Sequence, residues 1–475
     1  MSRPSILLIC TDQQRYDALG AAGNPHIVTP NLDRLAAQGA RFSNCYVQAT
    51  VCAPSRASLM TSRYVHNHGV WANGVDVSPD EQFFTRTLAD AGYDCGLAGK
   101  LHLGSAFGGR IEPRIDDGFR IFRWAHDPYL PSPGNEYHHW LRRHFPGLLE
   151  ETMAQGRQAI DRLPREAHYS HWVGEETIEF LTSTRDRSAP FCFIANFFDP
   201  HHGFGAPPEY RDRYDAGALP APVTSDLSTK PAIYSDASRE SYAGALPGFT
   251  DYTAEQIQEI KAHYYAMVSL VDDEVGRILD ALAQEGLEEE TIVLFTSDHG
   301  EMLGDHQMLL KGPMMFDCAV RVPLIVRWPG HVPAGAVHEE LVEWIDLAPT
   351  LVAAAQAEEM PRAQGRDLAP LWSGEHWPDR DWVLSEYRNS GSAYDPAVHT
   401  TMLRTHDWKL VVHHGATAST RDRDGELYDM ASDPDEQVNL WHDDAFRARR
   451  LEMQSDLLDV LVATEDRSQP RIAAF

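Results

Sequence analysis

Three short apolar runs, each ending abruptly in acid, amide or imidazole residues, constrain this chain more than any other feature. They are Ile6 to Cys10 before Asp12, Phe191 to Phe198 before Asp199-Pro200-His201, and Ile292 to Phe295 before Asp298-His299. Near-continuous apolar runs of this length are what strands buried on both faces look like. Helical patterns lie between them. Thr253 and Gln256 make a capping-box pair; Ile257, Ile260, Tyr264, Met267, Val271, Val275, Ile278 and Leu282 follow at helical spacing, and Gly286 stands where the helix should stop. Strands alternating with helices predict an α/β fold whose large, mostly parallel sheet is flanked by helices. In such sheets functional groups gather outside the carboxyl ends of the strands. Asp12, His201 and Asp298 all fall there.

The last quarter of the chain changes texture. Trp408 to Val412 and Glu426 to Tyr428 read as short strands of an antiparallel sheet, and Phe446 to Val462 as a closing helix. With 475 residues, 43% of them hydrophobic, the chain is long enough for one large cored domain and a smaller one. We therefore expect a catalytic domain over 1–375 and a smaller α+β domain over 376–475.

Charge narrows the partners. Seventy acidic against 41 basic residues give a formal charge of −29, which repels nucleic acid and anionic membrane as bulk partners. An anionic substrate would need locally focused cations. The run Ile6 to Cys10 is too short for a signal-peptide core and leads straight into Asp12, and no run approaches the length of a membrane span, so a cytoplasmic protein is expected. Six cysteines are sparse for this length, and no disulfide framework is expected. The apolar end Ile472 to Phe475 could pack on a second copy in a homo-oligomer.

Two separated strands ending in Asp12-Gln13 and Asp298-His299 could bring two carboxylates, an amide oxygen and an imidazole to one point, a plausible shell for a hard divalent cation. A strand-ending Asp taken alone is more often a turn or a helix cap. The segment Cys52-Ala53-Pro54-Ser55-Arg56 sets a cysteine just before a proline suited to a first helical turn. Backbone N–H groups at such a start favour an anion, and Arg56 adds a fixed positive charge. As plain thiol chemistry, Cys52 is a nucleophile or nothing at all.

Taken together these residues resemble the sulfatase family of the alkaline phosphatase superfamily. Cys52-Ala53-Pro54-Ser55-Arg56 matches its Cys-x-Pro-x-Arg signature. Asp12-Gln13, Gly99-Lys100-Leu101-His102, Asp199-Pro200-His201, Asp298-His299-Gly300-Glu301 and Lys311-Gly312 follow in the family's order and approximate spacing, and Glu426 to Asp429 with Asp433 to Glu436 resembles its closing segment. Two departures stand out. Many sulfatases carry two adjacent aspartates where this chain has Asp12-Gln13, and an asparagine in place of His299. Both resemble the branch that holds choline sulfatases and phosphonate monoester hydrolases, whereas Lys100 and His102 follow the ordinary sulfatase pattern.

The resemblance implies an alkaline phosphatase-like fold and a sulfuric ester hydrolase acting on a small anionic ester. It implies that a formylglycine-generating enzyme converts Cys52 to formylglycine, and that Asp12, Gln13, Cys52, Asp298 and His299 surround one divalent metal ion. Calcium is the first expectation; His299, a nitrogen donor, keeps manganese open, and magnesium is a further option. Lys100 and Lys311 would hold the sulfate oxygens, His102 would act on the second formylglycine hydroxyl, His201 would protonate the leaving alcohol, Arg56 would orient the formylglycine and Asn73 would contact the transferred group. His202 and His306 stay outside this core set, Asp305 and Asp317 are read as supporting or capping residues, and Tyr387 and Arg388 as strand residues within reach of the pocket. The segment Ser105 to His168 is expected to supply much of the pocket rim. A phosphonate monoester or phosphodiester hydrolase is the alternative activity, and an inactive anion-binding homologue the remote one.

Overall fold

The computed structural model describes residues 3–415 and 424–466; the apolar end Ile472 to Phe475 lies outside the described residues. Among the described residues fourteen strands are formed: β1 (Ser5–Thr11), β2 (Ala40–Tyr46), β3 (Asp94–Gly99), β4 (Ile121–Trp124), β5 (Phe191–Asn196), β6 (Glu240–Ser241), β7 (Leu246–Pro247), β8 (Thr291–Ser297), β9 (Arg321–Arg327), β10 (Ala336–Glu343), β11 (Val383–Arg388), β12 (His399–Arg404), β13 (Trp408–His414) and β14 (Asp424–Asp429).

Eight of them make one sheet in the order β10-β2-β9-β8-β1-β5-β3-β4. β8, β1, β5, β3 and β4 pair in parallel, β2 pairs in parallel with β10, and β9 runs against both of its neighbours. The apolar runs explain why the sheet is covered twice. Along β1, Ile6, Leu8 and Cys10 pack into one core with the Cys52–Thr61 helix, while Leu7 and Ile9 pack into a second with the Ala254–Gln284 helix. That long helix starts at the Thr253–Gln256 capping box and ends just before Gly286, as its spacing predicts.

The second sheet is antiparallel, ordered β11-β12-β13-β14, and the Arg447–Ala463 helix packs on it through Met453, Leu457 and Val460. It is tied to the main sheet by the Glu386 N–H donating to the Gln48 carbonyl at 2.9 Å and by the Leu384 N–H donating to Glu343 at 2.9 Å. The architecture is the expected one: a large mostly parallel sheet between helices, with a C-terminal antiparallel sheet. All six cysteines are buried and unpaired. Among the described residues no helix is long and apolar enough to cross a membrane.

Candidate active site

Parallel pairing sets Thr11 of β1 beside Ser297 of β8, so the residues that leave these strands, Asp12 and Asp298, emerge side by side. Cys52 arrives from β2 through a buried turn and is the first residue of the Cys52–Thr61 helix. Pro54 occupies its first turn, where a missing N–H costs nothing, and Asn73 Oδ1 accepts the otherwise unpaired Ala53 N–H at 3.1 Å. Arg56 is buried, which a guanidinium tolerates only with partners. Its Nε donates to Asp298 Oδ2 at 2.8 Å, Nη2 to Asp12 Oδ2 at 3.4 Å, and Nη1 to the Lys100 carbonyl at 3.2 Å. Arg56 thus holds the two carboxylates from behind.

Asp12 is fully buried and meets Lys100 Nζ at 2.6 Å and Lys311 Nζ at 3.8 Å. Burial pushes its carboxyl up, but Lys100 and the other cations outweigh this and hold it well below the ordinary range. Cys52 Sγ lies 3.6 Å from Asp12 Oδ1, 3.1 Å from His299 Nε2 and 3.2 Å from Lys311 Nζ. His299 Nδ1 faces its neighbour's carbonyl, Gly300 O, at 2.9 Å. That contact places the ring proton on Nδ1 and turns the Nε2 lone pair toward Asp12 and Asp298, each 3.6 Å away. Burial lowers this imidazole to about 4, so the ring is neutral, as a ligand must be.

One donor atom from each of Asp12, Cys52, Asp298 and His299 lies within 4.8 Å of the others. That span is about twice a metal–oxygen distance of 2.3–2.6 Å, so the four fit round a single divalent ion. Gln13, in a left-handed backbone conformation, adjoins this cluster through its N–H, which donates to Asp298 Oδ1 at 3.0 Å. Its Nε2 donates to Glu301, whose other oxygen accepts the Leu303 N–H at 2.9 Å and the Leu310 N–H at 2.5 Å. The amide orientation is thereby fixed, and Oε1 is presented to Lys311 Nζ at 2.6 Å.

In front of this cluster lies a cavity of about 590 Å³ lined by Cys52, Asn73, Lys100, His102, His201 and Lys311, with the exposed side chains of Phe107 and Leu246 also on its wall. His102 has a positive φ, with its N–H held by Glu112 Oε2 at 3.0 Å. The His201 ring stacks on His202 at 3.9 Å and packs 4.5 Å from Phe198. Every site residue expected from the sequence is therefore gathered in one place. Three more adjoin them: His202, which stays outside the core set expected from the sequence, and Glu301 and His126, which were given no role there. His202 lines the cavity and reaches Gln13 Oε1 at 3.3 Å, and its signal was adjacency to His201. Glu301, inside the Asp298-to-Glu301 motif, orients Gln13. His126 lines the cavity from the end of β4 and had no signal beyond that position.

The other residues set aside behave otherwise. His306 stacks on Phe316 at 3.8 Å and bonds to Ser225, Asp305 pairs with Arg15 at 2.8 Å, and Asp317 with Lys409 at 2.6 Å. Tyr387 is buried in the C-terminal sheet, and the cavity takes Gly391 and Ser392 from the segment just beyond it. Ser105 to Tyr129 supplies part of the rim, as expected of the 105–168 segment.

This fold and this strand-end cluster define the alkaline phosphatase-like class of hydrolases. The sulfatase family model matches residues 4–357, and the model for the C-terminal part of N-sulphoglucosamine sulphohydrolase matches residues 304–463. The chain belongs to the sulfatase family, a family of sulfuric ester hydrolases. It is 30% identical over 98% of its length to YidJ, an uncharacterized sulfatase of Escherichia coli K12, covering 88% of that protein. It is 28% identical to an arylsulfatase of Clostridium perfringens, covering 98% of this chain and 95% of that one. Among solved structures, the phosphonate monoester hydrolase of Agrobacterium radiobacter superposes with a TM-score of 0.82 at 25% identity, over 98% of this chain and 97% of the other.

Proposed function

We propose that the chain hydrolyses a sulfate monoester to an alcohol and sulfate, using formylglycine at position 52 beside one divalent metal ion. The observation that carries this reading is the position of Cys52. It sits at a helix start, inside the Asp12, Asp298 and His299 cluster and under the Lys311 ammonium. When bound, the metal supplies Lewis-acid activation of the nucleophile and neutralises charge on a sulfate oxygen. As formylglycine, residue 52 would offer a hydrated aldehyde whose second hydroxyl provides an exit from the sulfated state without a second attack at sulfur.

The chain's own groups do the rest. Arg56 fixes the Asp12 and Asp298 carboxylates, so the ligand set is formed before substrate arrives. Lys100 and Lys311 form a cationic clamp, preorganised by Asp12 and Gln13, for oxygens that gain charge in the transition state. His102 takes the proton of the second hydroxyl. His201, whose Nδ1–H donates to the His202 carbonyl at 2.7 Å, would protonate the leaving oxygen from Nε2 after taking up a second proton there. Asn73 caps the nucleophile helix and faces the transferred group. We assign the role of metal to calcium first, with manganese or magnesium as the other candidates.

A second reading, phosphonate monoester hydrolysis in the same site, draws on the likeness to the Agrobacterium enzyme together with Gln13 and His299. Two measurements decide. Peptide mass spectrometry after co-expression with a formylglycine-generating enzyme should show residue 52 as the aldehyde; full activity with an unmodified thiol would overturn the mechanism. The kcat/KM for an aryl sulfate should then exceed that for an aryl phosphonate monoester of equal charge. Equal charge removes the long-range field from the comparison, and each tenfold is about 1.4 kcal/mol of transition-state preference. A large preference for the phosphonate would replace the sulfatase reading with the second one.

A further inference from the structure

His126 lines the same cavity as Lys100, His102 and Lys311, and its place there is held firmly by the backbone. β4 runs parallel to β3, so the residues after Trp124 come out beside those after Gly99. The Ala125 N–H donates to the Gly99 carbonyl at 3.1 Å, and Tyr169 Oη donates to the Ala125 carbonyl at 2.8 Å. One residue further on, Asp127 Oδ1 accepts the N–H groups of Tyr129 and Leu130 at 2.7 and 2.6 Å. The imidazole between these anchors meets the His102 ring edge-on, with centroids 4.4 Å apart.

Yet among the described residues its Nδ1 is buried without a hydrogen-bond partner. A phenyl or leucyl side chain would pack against His102 without burying an unpaired nitrogen. An imidazole in this position is therefore explained by what its other nitrogen does in the cavity. A proton on Nδ1 would be a buried donor with no acceptor, so the neutral ring carries its proton on Nε2. Burial, with Lys100 as the leading charge, lowers the group to about 4 and agrees with a neutral ring.

We propose that His126 is a substrate-binding residue that donates its Nε2–H to an oxygen of the transferred anionic group, next to the Lys100 ammonium. The proposal rests on the reading of Lys100 and His102 as the residues that face that group. The exposed part of the cavity wall, to which Phe107 (87% exposed) and Leu246 belong, is left for the alcohol part. A neutral donor here adds direction without adding charge. It tells the peripheral oxygens of the ester where to lie, while Lys100 and Lys311 supply the field.

The test uses the matured, metal-loaded enzyme and two variants, His126→Phe and His126→Gln. The first fills the space without a donor; the second restores an N–H at similar reach. The readouts are kcat/KM over aryl esters whose phenols differ in acidity, and the competitive inhibition constant of inorganic sulfate. A lost hydrogen bond to a charged group predicts that His126→Phe lowers kcat/KM on the order of 10- to 100-fold. The loss should be the same for every leaving group, inorganic sulfate should bind more weakly by a comparable factor, and His126→Gln should recover most of both.

Three results overturn the assignment. Phe as good as His would make the ring mere packing. A loss that grows as the phenol becomes a poorer leaving group would move His126 to the alcohol oxygen. Gln no better than Phe would remove the donor role. If Phe prevents folding, the Gln variant decides alone: wild-type-like sulfate inhibition and kcat/KM support the donor, and a loss in both refutes it. The broader reading fails separately. Were the wild-type enzyme to prefer phosphonate esters, the same series run on those esters would still read out His126.

Discussion

At Asp12 two opposing demands meet. Removing a carboxylate from water favours its neutral form, while Lys100 and Lys311 on one side and Arg56 on the other favour the charged one, and the cations win. In the proposed function the same three cations crowd a site that would hold a further positive ion, so the charge on Asp12 would be what makes that site tenable. Asp12→Asn keeps the volume and one oxygen but removes that charge. We predict loss of the metal and a fall in kcat/KM on the order of 100-fold or more, since even residues behind the ligands are worth 10- to 100-fold. Elemental analysis beside kinetics on the same preparation checks this, and full occupancy would take Asp12 out of the ligand set. Glu301 acts one step further back, by fixing which end of the Gln13 amide is turned to Lys311 and, in the proposed function, to the ion. Glu301→Gln offers the Gln13 Nε2–H a neutral acceptor that can itself flip. We expect weaker metal affinity by about 10- to 100-fold with little change in melting temperature. A metal titration identical to wild type would show that Gln13 needs no such support.

Between β3 and β5 the geometry leaves no room for a side chain at the point where Lys100 departs. Gly99 has a φ of +104°, and a Cβ there would stand 1.9 Å from the Asn196 carbonyl oxygen, a backbone atom that cannot swing aside. Gly99→Ala should therefore cost on the order of 3 kcal/mol or more and lower the melting temperature, and, by moving Lys100, reduce turnover of the fraction that still folds. A variant that melts like the wild type would mean that the strand end yields more easily than its contacts indicate. Elements of this kind also explain what could be read from the chain alone. β1, β5 and β8 announce themselves because burial on both faces demands unbroken apolar runs, and the parallel sheet then forces Asp12, His201 and Asp298 to one edge. The long helix is legible because its cap and its stripe are local. His126 was not legible: β4 is four residues long at the sheet's rim and carries no strong apolar run to mark its end. Nor was the Glu301–Gln13 bond, which joins residues 288 positions apart. Such contacts depend on how loops meet after the sheet has formed, and no local period encodes them.

Over the whole molecule, the C-terminal sheet is fastened to the catalytic sheet by a buried knot of charges as well as by apolar packing. Lys409 of β13 donates to Asp317 Oδ1 and Glu436 Oε1, both at 2.6 Å, and to the Met315 carbonyl at 3.1 Å, while Glu436 Oε2 accepts the Asp317 N–H at 2.6 Å. The segment thus secured, Met315 to Asp317, comes shortly after Lys311, so the second sheet steadies the loop that carries this cavity-lining cation. Two carboxyls share one ammonium here, and burial decides how they share it. Asp317 is held well below the ordinary range by Lys409 and Arg321 despite its burial, whereas burial pushes Glu436 from 4.5 up to about 7 even though Lys409 pulls the other way. A carboxyl raised in the folded state binds a proton that the unfolded chain has already released. Its contribution to stability is full below about pH 4.5 and is lost as the pH rises through about 7. Glu436→Gln removes that titration while preserving size and an acceptor for Lys409. The melting temperature of the variant minus that of the wild type should therefore rise steadily from pH 5 to pH 8, and thermal melts at each unit of pH measure it. A difference that falls with pH would mean that Lys409 stabilises the charged form of Glu436, and that the knot holds two full carboxylates at neutral pH.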